Sequence, residues 1–194
     1  LAADSLYPDP YNLVVFPDNH DVSRLYTVLG EREDLTRMAI AFFLTIRGIP
    51  QLFYGTEILM SNPGTEDHAV IRSDFPGGWP GDVKNAFTGA GLSAAERDMQ
   101  EYMRQLLQWR RGASAVHGGK LTQFAPMDGV YVYFRQDADQ TVMVILNNND
   151  QGTTVDTQRF AEVIGAATRG TDVLSRRVHE LAQGQEYYLG AFLV

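Results

Sequence analysis

The chain of 194 residues contains 16 lysine and arginine residues against 24 aspartate and glutamate residues, which gives a formal net charge of −8. This acidic balance argues against binding to nucleic acid or to anionic membranes, since both favour a basic protein surface. Cysteine is absent, which excludes disulfides, zinc thiolates and thiol catalysis.

The first element predicted along the chain is a short strand. Leu1-Ala2-Ala3-Asp4 lacks the basic and apolar regions of a signal peptide, so we expect the chain to begin inside a longer protein. Residues 12–16 form a largely apolar run that is typical of a strand buried on both faces of a parallel sheet.

An amphipathic helix and a second short strand are predicted next. Apolar residues recur with helical spacing between residues 31 and 47, and Gly48 and Pro50 end the helix. Residues 51–54 form another apolar run that predicts a strand. Two parallel strands cannot protect both faces and both edges of a sheet, so we expect the missing strands to come from elsewhere.

The sequence pattern of the remaining residues predicts a change from helical to β structure. Residues 61–92 are rich in Gly, Pro, Asn and Asp, which indicates a long loop. Ser93 and Glu96 have the spacing of a capping box, and the helix that they begin ends at Arg110-Arg111-Gly112. The pattern beyond residue 112 is strand-like. Strands are predicted at residues 120–124, 130–134, 141–146, 153–156, 176–181 and 187–194, with a hairpin turn at 137–140.

Four polar residues, Asp18, Asn19, His20 and Asp21, stand together where the first predicted strand ends. Active sites of parallel α/β folds form at this end of the strands. Polar groups buried there are costly unless they are hydrogen-bonded or used in chemistry. The alternative is a polar loop in which Asp21 makes only local hydrogen bonds. The pattern alone leaves both interpretations open.

Two segments of the chain resemble the α-amylase family. Phe16-Pro17-Asp18-Asn19-His20-Asp21 is similar to the F-x-x-x-H-D segment at barrel strand seven, and residues 48–57 (GIPQLFYGTE) resemble the G-x-P-x-x-Y-Y-G-x-E segment at strand eight. Their order is right, and an amphipathic helix separates them. Residues 71–79 (IRSDFPGGW) are similar to the neopullulanase and cyclomaltodextrinase branch.

The resemblance implies a chain that is α/β in its first part and all-β in its second. Residues 1–112 are expected to be the C-terminal part of a (β/α)8 TIM barrel, with strands 7 and 8 and helices 7 and 8. Residues 113–194 are expected to form a C-terminal antiparallel β-sandwich of Greek-key topology.

The implied activity is that of a retaining glycoside hydrolase on α-glucans. Asp21 matches the family's third carboxylate and His20 matches the histidine that hydrogen-bonds the sugar, so both are expected to be catalytic. A carboxylate beside a developing oxocarbenium ion is physically sensible. Asp18, Asn19 and Arg24 are expected to bind substrate, with an orienting role for a site carboxylate as the alternative for Arg24.

The long loop offers aromatic side chains that can stack on sugar rings. We expect Trp79 to line a glucan subsite, and the alternative is that it packs the loop onto the barrel. Nothing in the sequence resembles a defined calcium cage, although some family members bind calcium, so no metal and no cofactor is expected.

The family's nucleophile and acid have no match in this chain. We therefore expect the 194 residues to be inactive alone and to need the rest of the barrel. The expected substrates are maltodextrins or pullulan, cleaved at α-1,4 links, with α-1,6 links as a further candidate. The exposed strand edges predict self-association of the isolated chain. The compartment stays open between the bacterial periplasm and cytoplasm.

Two alternatives to this function remain. The chain could be a non-catalytic carbohydrate-binding or interface module that uses aromatic residues of the sandwich. It could also belong to an inactive relative of the family.

Overall fold

The structure is a computed structural model that describes residues 3–181 and the strand at residues 186–189. It divides into two compact units. One comprises Leu1–Phe43 and Gly48–Gln105, and the other comprises Leu44–Arg47 and Leu106–Val194. The division into a barrel part and a sandwich at residues 112–113 stays a prediction. No helix among the described residues is long and apolar enough to cross a membrane.

A parallel pair of very short strands organises the first unit. Strand β1 (Val14–Val15) pairs with β2 (Ile49–Pro50), with Val14 opposite Ile49. Backbone N–H groups of Ile49 and Gln51 donate to the carbonyls of Leu13 and Val15 at 2.8 and 2.9 Å. The helices α1 (Leu25–Val28) and α2 (Glu33–Thr45) come between the two strands in the chain. The predicted order of strand, helix and strand is therefore confirmed.

Two sequence-based expectations about this pair are wrong. The second strand is Ile49–Pro50 and not residues 51–54, because the ladder ends with the Gln51 N–H and the chain then enters a turn at Gly55, whose φ is 87°. The first strand is also not buried on both faces within this chain. Val14 and Ile49 are 53% and 52% exposed, since each strand has only the other as a neighbour in the described chain.

The loop that follows β2 is ordered and has its own small core. It contains helix α3 (His68–Ile71), which the sequence did not predict. The buried residues Ile58, Ala86 and Leu92 pack together, with Met60 and Phe75 against them. The described 3-10 helices of the chain are Asp4–Leu6, Pro10–Asn12, Thr56–Ile58 and Thr157–Phe160.

The predicted capping box starts helix α4 (Ala94–Arg110). The Glu96 N–H donates to Ser93 Oγ at 3.2 Å, and the Ser93 N–H donates to Glu96 Oε2 at 2.6 Å. Reciprocal bonds of this kind satisfy two of the donors that a helix start leaves free. Met99, Tyr102, Met103 and Leu106 on the predicted apolar stripe are buried.

The second unit is built from antiparallel strands and short helices. Its largest sheet has the order β3-β4-β5, and two further pairs are β6 with β9 and β7 with β8. The elements are α5 (Ser114–Gly118), β3 (Lys120–Gln123), β4 (Val130–Gln136), β5 (Thr141–Asn147), β6 (Thr153–Asp156), α6 (Ala161–Ile164), β7 (Arg169–Thr171), β8 (Val178–Glu180) and β9 (Glu186–Leu189).

Most of these strands were predicted from alternation and turn chemistry. The hairpin turn is confirmed, since the N–H groups of Asp139 and Gln140 donate to Asp137 Oδ1 at 2.9 and 2.8 Å. Strand β7 and the short helices were not predicted. Of the strand predicted at 187–194, residues 190–194 lie outside the described residues.

Strand β4 buries both of its faces in different ways. One face carries Val130, Val132 and Phe134 into a hydrophobic core with Val155, Phe160 and Ile164. The other face carries Tyr133 and Arg135, which are both fully buried. The Tyr133 hydroxyl lies 2.5 Å from Thr45 Oγ1. The Arg135 guanidinium donates to the carbonyls of Thr45 and Gly119 at 2.9 and 3.0 Å.

We expect Arg135→Met to lower the free energy of unfolding of the second unit by about 2–4 kcal/mol, because two buried carbonyls lose their donor. Chemical denaturation followed by tyrosine and tryptophan fluorescence measures the change. Arg104→Met is the matched control, since Arg104 is exposed and pairs with Glu101 on its own helix. That control should change stability by less than about 1 kcal/mol. Equal effects of the two substitutions would contradict the prediction.

Candidate active site

The candidate site lies where the loop after β1 meets the loop after β2. The first of these loops carries His20 and Asp21, and the second carries Arg72. Long-range hydrogen bonds join the loops, and they involve the guanidinium groups of Arg24 and Arg72 and the side-chain amide of Asn62. The parallel pairing of β1 with β2 brings the two loops to the same end of the strands, as the sequence predicted for residues 18–21.

His20 and Asp21 form the exposed part of the site. The Asp21 N–H donates to Asn19 Oδ1 at 2.7 Å, which fixes the turn that carries the carboxylate. His20 Nε2 lies 3.3 Å from Asp21 Oδ2. Their side chains are 61% and 59% exposed, so both are open to a ligand. The structure therefore brings Asn19, His20 and Asp21 together as the sequence predicted.

Arg72 joins this group from the second loop. Its Nη2 donates to Asp21 Oδ1 at 2.8 Å, and its Nε donates to the His20 carbonyl at 2.9 Å. Sequence reasoning missed this residue as part of the site. Arg72 lies in the segment that resembles the neopullulanase branch, and nothing local in the sequence shows that it reaches a residue 51 positions away.

Asp18 and Arg24 occupy a different place, beneath the exposed group. Each residue is only 1% exposed. Asp18 Oδ2 accepts a hydrogen bond from the Leu25 N–H at 2.8 Å, at the start of α1. Neither side chain has the accessible surface that contact with a sugar requires. The structure thus contradicts the expectation of substrate contact for Asp18 and Arg24, because both are engaged inside the protein.

The Arg24 guanidinium links the two loops from within. Its Nε donates to the Ile71 carbonyl at 2.9 Å and its Nη1 donates to the Tyr54 carbonyl at 2.6 Å. The guanidinium carbon lies 4.4 and 5.0 Å from the ring centroids of Phe53 and Tyr54. Such cation–π contacts strengthen when water is excluded. These contacts go to backbone carbonyls and aromatic rings, so the alternative that Arg24 orients a carboxylate of the site stays a hypothesis.

Burial also governs the ionisation of this pair. Desolvation raises the pKa of Asp18 above its ordinary value, although the Leu25 N–H and the Arg24 charge both act to lower it. Desolvation likewise lowers the pKa of Arg24, against the opposing effects of Tyr54 and Asp18. Asp18 Oδ1, Arg24 Nη2 and Thr56 Oγ1 are buried without a hydrogen-bond partner among the described residues. Burial is thus the largest electrostatic influence on both groups.

Asn62 and Gly55 complete this support, and sequence reasoning missed both. Asn62 Oδ1 accepts from the Arg24 N–H at 2.9 Å, and Asn62 Nδ2 donates to the Thr65 carbonyl at 2.7 Å. Gly55 has a φ of 87°, and a Cβ at this position would lie 3.0 Å from Arg24 Nη1. The Asn62-Pro63-Gly64 sequence is a turn signal that could have drawn attention to Asn62.

Trp79 lies in the same long loop and is 63% exposed. The backbone N–H of Trp79 donates to Asp82 Oδ2 at 3.1 Å, and the backbone N–H of Gly77 donates to the same oxygen at 2.7 Å. The structure thus presents Trp79 to solvent from an ordered turn. The ring of Phe87, which is 75% exposed, packs edge-on against Phe75 at 5.2 Å.

No group of three or more His, Cys, Asp or Glu side chains that could hold a metal ion is found within residues 3–181 and 186–189. His68, which lies beside Glu66 and Asp67 in sequence, contacts Arg72 instead, with its Nδ1 at 2.9 Å from Arg72 Nη2.

Comparison with known proteins places this geometry in a family. The profile described as "Alpha amylase, catalytic domain" matches residues 4–143. The chain belongs to the α-amylase family. The profile described as "Cyclo-malto-dextrinase C-terminal domain" matches residues 121–185. The resemblance predicted from the two motifs, including the cyclomaltodextrinase branch, is therefore confirmed.

Similar proteins of known name agree with this assignment. The chain is 36% identical over 148 residues to a cyclomaltodextrin glucanotransferase of Paenibacillus macerans, which covers 76% of this chain and 18% of that protein. It is 28% identical over 153 residues to a cyclomaltodextrinase of Geobacillus thermopakistaniensis, covering 77% and 23% respectively. With Alpha-amylase 3 of Dictyoglomus thermophilum it shares 28% identity over 152 residues, covering 70% and 30%. The chain thus spans less than a third of the length of these relatives.

Solved structures share the fold over nearly the whole chain. AmyP in complex with maltose superposes with a TM-score of 0.80 at 21% identity, over 98% of this chain and 41% of AmyP. The α-amylase of Geobacillus thermoleovorans complexed with acarbose gives a TM-score of 0.76 at 22% identity, over 99% and 40%. At these identities the likeness supports the fold of the catalytic and C-terminal parts.

We expect Arg24→Lys to destabilise the protein by about 2–4 kcal/mol and to loosen residues 61–92, because an ammonium cannot span the Ile71 and Tyr54 carbonyls as the planar guanidinium does. Thermal unfolding measures the first effect, and limited proteolysis of the long loop measures the second. Arg32→Lys is the control, since Arg32 is exposed and pairs with Asp34 two residues away. Unchanged protease resistance in Arg24→Lys would refute the supporting role.

Proposed function

We propose that this chain supplies the C-terminal part of a (β/α)8 barrel, with strands 7 and 8, followed by a C-terminal antiparallel β-sandwich. The exposed apolar residues Val14 and Ile49 on the parallel pair support further strands beside it, since such a sheet is normally covered. The small share of each relative that the chain covers supports the same interpretation. Alone, the open strand edges would favour self-association.

The proposed activity is retaining hydrolysis of α-glucans. The observation that carries it is the exposed Asp21 carboxylate at the end of β1, which Asn19 and Arg72 hold beside His20. A fixed carboxylate at this position stabilises positive charge that develops on the sugar ring in the transition state. His20, which is equally exposed, donates to a sugar hydroxyl.

The nucleophile and the acid of this reaction come from elsewhere in our proposal. A retaining glycosidase needs two carboxyl groups about 5–5.5 Å apart. Glu57 is engaged in its own turn, where its Oε2 accepts from the Gly55 N–H at 2.8 Å. The 194-residue chain is therefore expected to hydrolyse no α-glucan when it is assayed alone.

The proposed substrates are maltodextrin or pullulan oligosaccharides. Cleavage is proposed at α-1,4 links, with α-1,6 links as a further candidate. AmyP was solved with maltose and with maltotriose, and a Geobacillus amylase was solved with acarbose. Within this substrate class, Asn19 and Trp79 are the substrate-binding residues that we retain. Asp18 and Arg24 act as supports, because both are buried.

A non-catalytic carbohydrate-binding module is the second candidate. The observation that bears on it is a groove of about 400 Å³ in the second unit, lined in part by side chains of the hydrophobic core. Residues that line this groove include Val132, Thr154, Asp156 and Arg159. In such a module sugar would bind in the groove and Asp21 would be dispensable.

We expect Asp21→Asn in the full-length protein to lower kcat on maltodextrin by at least about 10²-fold, because the amide keeps the shape but loses the negative charge that stabilises the transition state. Release of reducing sugar measures the rate, and thermal unfolding verifies that the fold is retained. Asp98→Asn is the matched control, since Asp98 is exposed on α4. An Asp21→Asn enzyme with the wild-type rate would contradict the catalytic role of Asp21, whereas a wild-type protein that binds maltodextrin without cleaving it would favour the binding module.

We expect Trp79→Ala to raise KM for long maltodextrins several-fold with little change in kcat, because a stacked ring contributes binding away from the reacting bond. Initial rates on a series of malto-oligosaccharides of increasing length measure the effect. Val83→Ala is the control, since Val83 is 94% exposed in the same loop and has no aromatic face. If the KM of Trp79→Ala equalled that of the wild type for short and long oligosaccharides alike, Trp79 would not be a substrate-binding residue.

A further inference from the structure

Arg72 contacts two consecutive residues of the proposed site with one planar group. Nε donates to the His20 carbonyl at 2.9 Å, and Nη2 donates to Asp21 Oδ1 at 2.8 Å. Nη2 also lies 2.9 Å from His68 Nδ1, which accepts because a guanidinium carries no acceptor. The side chain thus fixes both the backbone and the carboxylate of the His20-Asp21 pair.

The position of Arg72 is itself determined by buried contacts. Asp67 caps the start of helix α3, and its Oδ1 accepts from the Ala69 N–H at 2.8 Å. Ile71, the residue before Arg72, is 1% exposed, and its carbonyl accepts from Arg24 Nε at 2.9 Å. Arg72 therefore extends towards Asp21 from an anchored turn.

The contact matters for geometry more than for stability. The side chains of Arg72 and Asp21 are 44% and 59% exposed, and exposed ion pairs contribute little to folding. The contact does select the orientation of the carboxylate. Arg72 holds Oδ1 while His20 lies 3.3 Å from Oδ2. Each carboxylate oxygen keeps a second lone pair for a sugar hydroxyl.

We propose that Arg72 is a positioning residue for Asp21, which sets the rotamer that the carboxylate presents to the sugar. This inference rests on the proposed glycoside hydrolase function. Removing Arg72 has two opposing effects. It takes away a positive charge that partly offsets the negative charge of Asp21, which favours the reaction. It also frees the carboxylate to rotate, which disfavours the reaction. The second effect dominates, because a displacement of about 1 Å can cost about 10²-fold in rate whereas water screens an exposed charge.

The test uses the full-length protein with Arg72→Ala and Arg72→Lys. We expect Arg72→Ala to lower kcat by about 10- to 100-fold with KM changed less than about threefold. Free guanidinium ion, at concentrations that leave the fold intact, should restore part of that rate. Arg72→Lys should recover only part of kcat, because an ammonium cannot hold the His20 carbonyl and Asp21 Oδ1 in one plane.

Two controls separate positioning from a structural role. Arg104→Ala, on the exposed face of α4, should keep the wild-type kcat and show no response to guanidinium. Asp21→Asn should not respond to guanidinium either, since its charge is absent. An Arg72→Ala protein with wild-type kcat and KM would overturn the proposal. A rate that falls together with thermal stability, without rescue, would also overturn it.

A crystal structure of the Arg72→Ala protein gives an answer that does not depend on activity. We expect the Asp21 carboxylate to adopt a different or a divided rotamer, and an unchanged Asp21 would refute the positioning role. A wild-type protein that hydrolyses no α-glucan would instead overturn the proposed function, while the crystal structure would still decide on Arg72.

Discussion

The first unit depends on a single buried positive charge. Arg24 is 1% exposed, and a buried guanidinium is costly unless its donors and its charge are matched. The carbonyls of Tyr54 and Ile71 accept from it, and the ring of Phe53 lies against it. All of these partners belong to the chain after β2, whereas Arg24 belongs to the chain after β1. Moving the two loops apart would take these partners away from Arg24, so the contacts constrain the relative position of the loops.

This constraint explains local features that have no meaning alone. Gly55 adopts a φ of 87°, and the absence of a side chain leaves room for the Met60 side chain and for Arg24 Nη1. Asn62 is buried and binds the Arg24 N–H, which makes the turn after β2 a second attachment to the same residue. The burial that raises the pKa of Asp18 arises in the same place, because Asp18 Oδ2 accepts from the N–H of Leu25, the residue after Arg24.

Features that depend on neighbours in sequence were predictable. The Ser93 and Glu96 capping box and the hairpin turn at Asp137 follow from spacings of a few residues, and the structure confirms both. The motif at His20 and Asp21 placed the candidate site at a strand end for the same reason. Partners that lie 30 to 51 residues apart, such as Tyr54 for Arg24 and Arg72 for Asp21, leave no periodic trace in the sequence. The burial of Arg24 could not be predicted either, because an arginine after H-D is equally compatible with exposure.

The site therefore has two layers with different physical tasks. The buried layer around Arg24 determines where the loops lie, and its loss should affect folding before chemistry. The exposed layer of His20, Asp21 and Arg72 contributes little to folding, because water screens its charges. Such a layer is free to be arranged for the ligand, since no part of it holds the core together. Ile71 and Arg72 are adjacent and connect the layers, so the orientation of the Asp21 carboxylate follows from a charge buried beneath it.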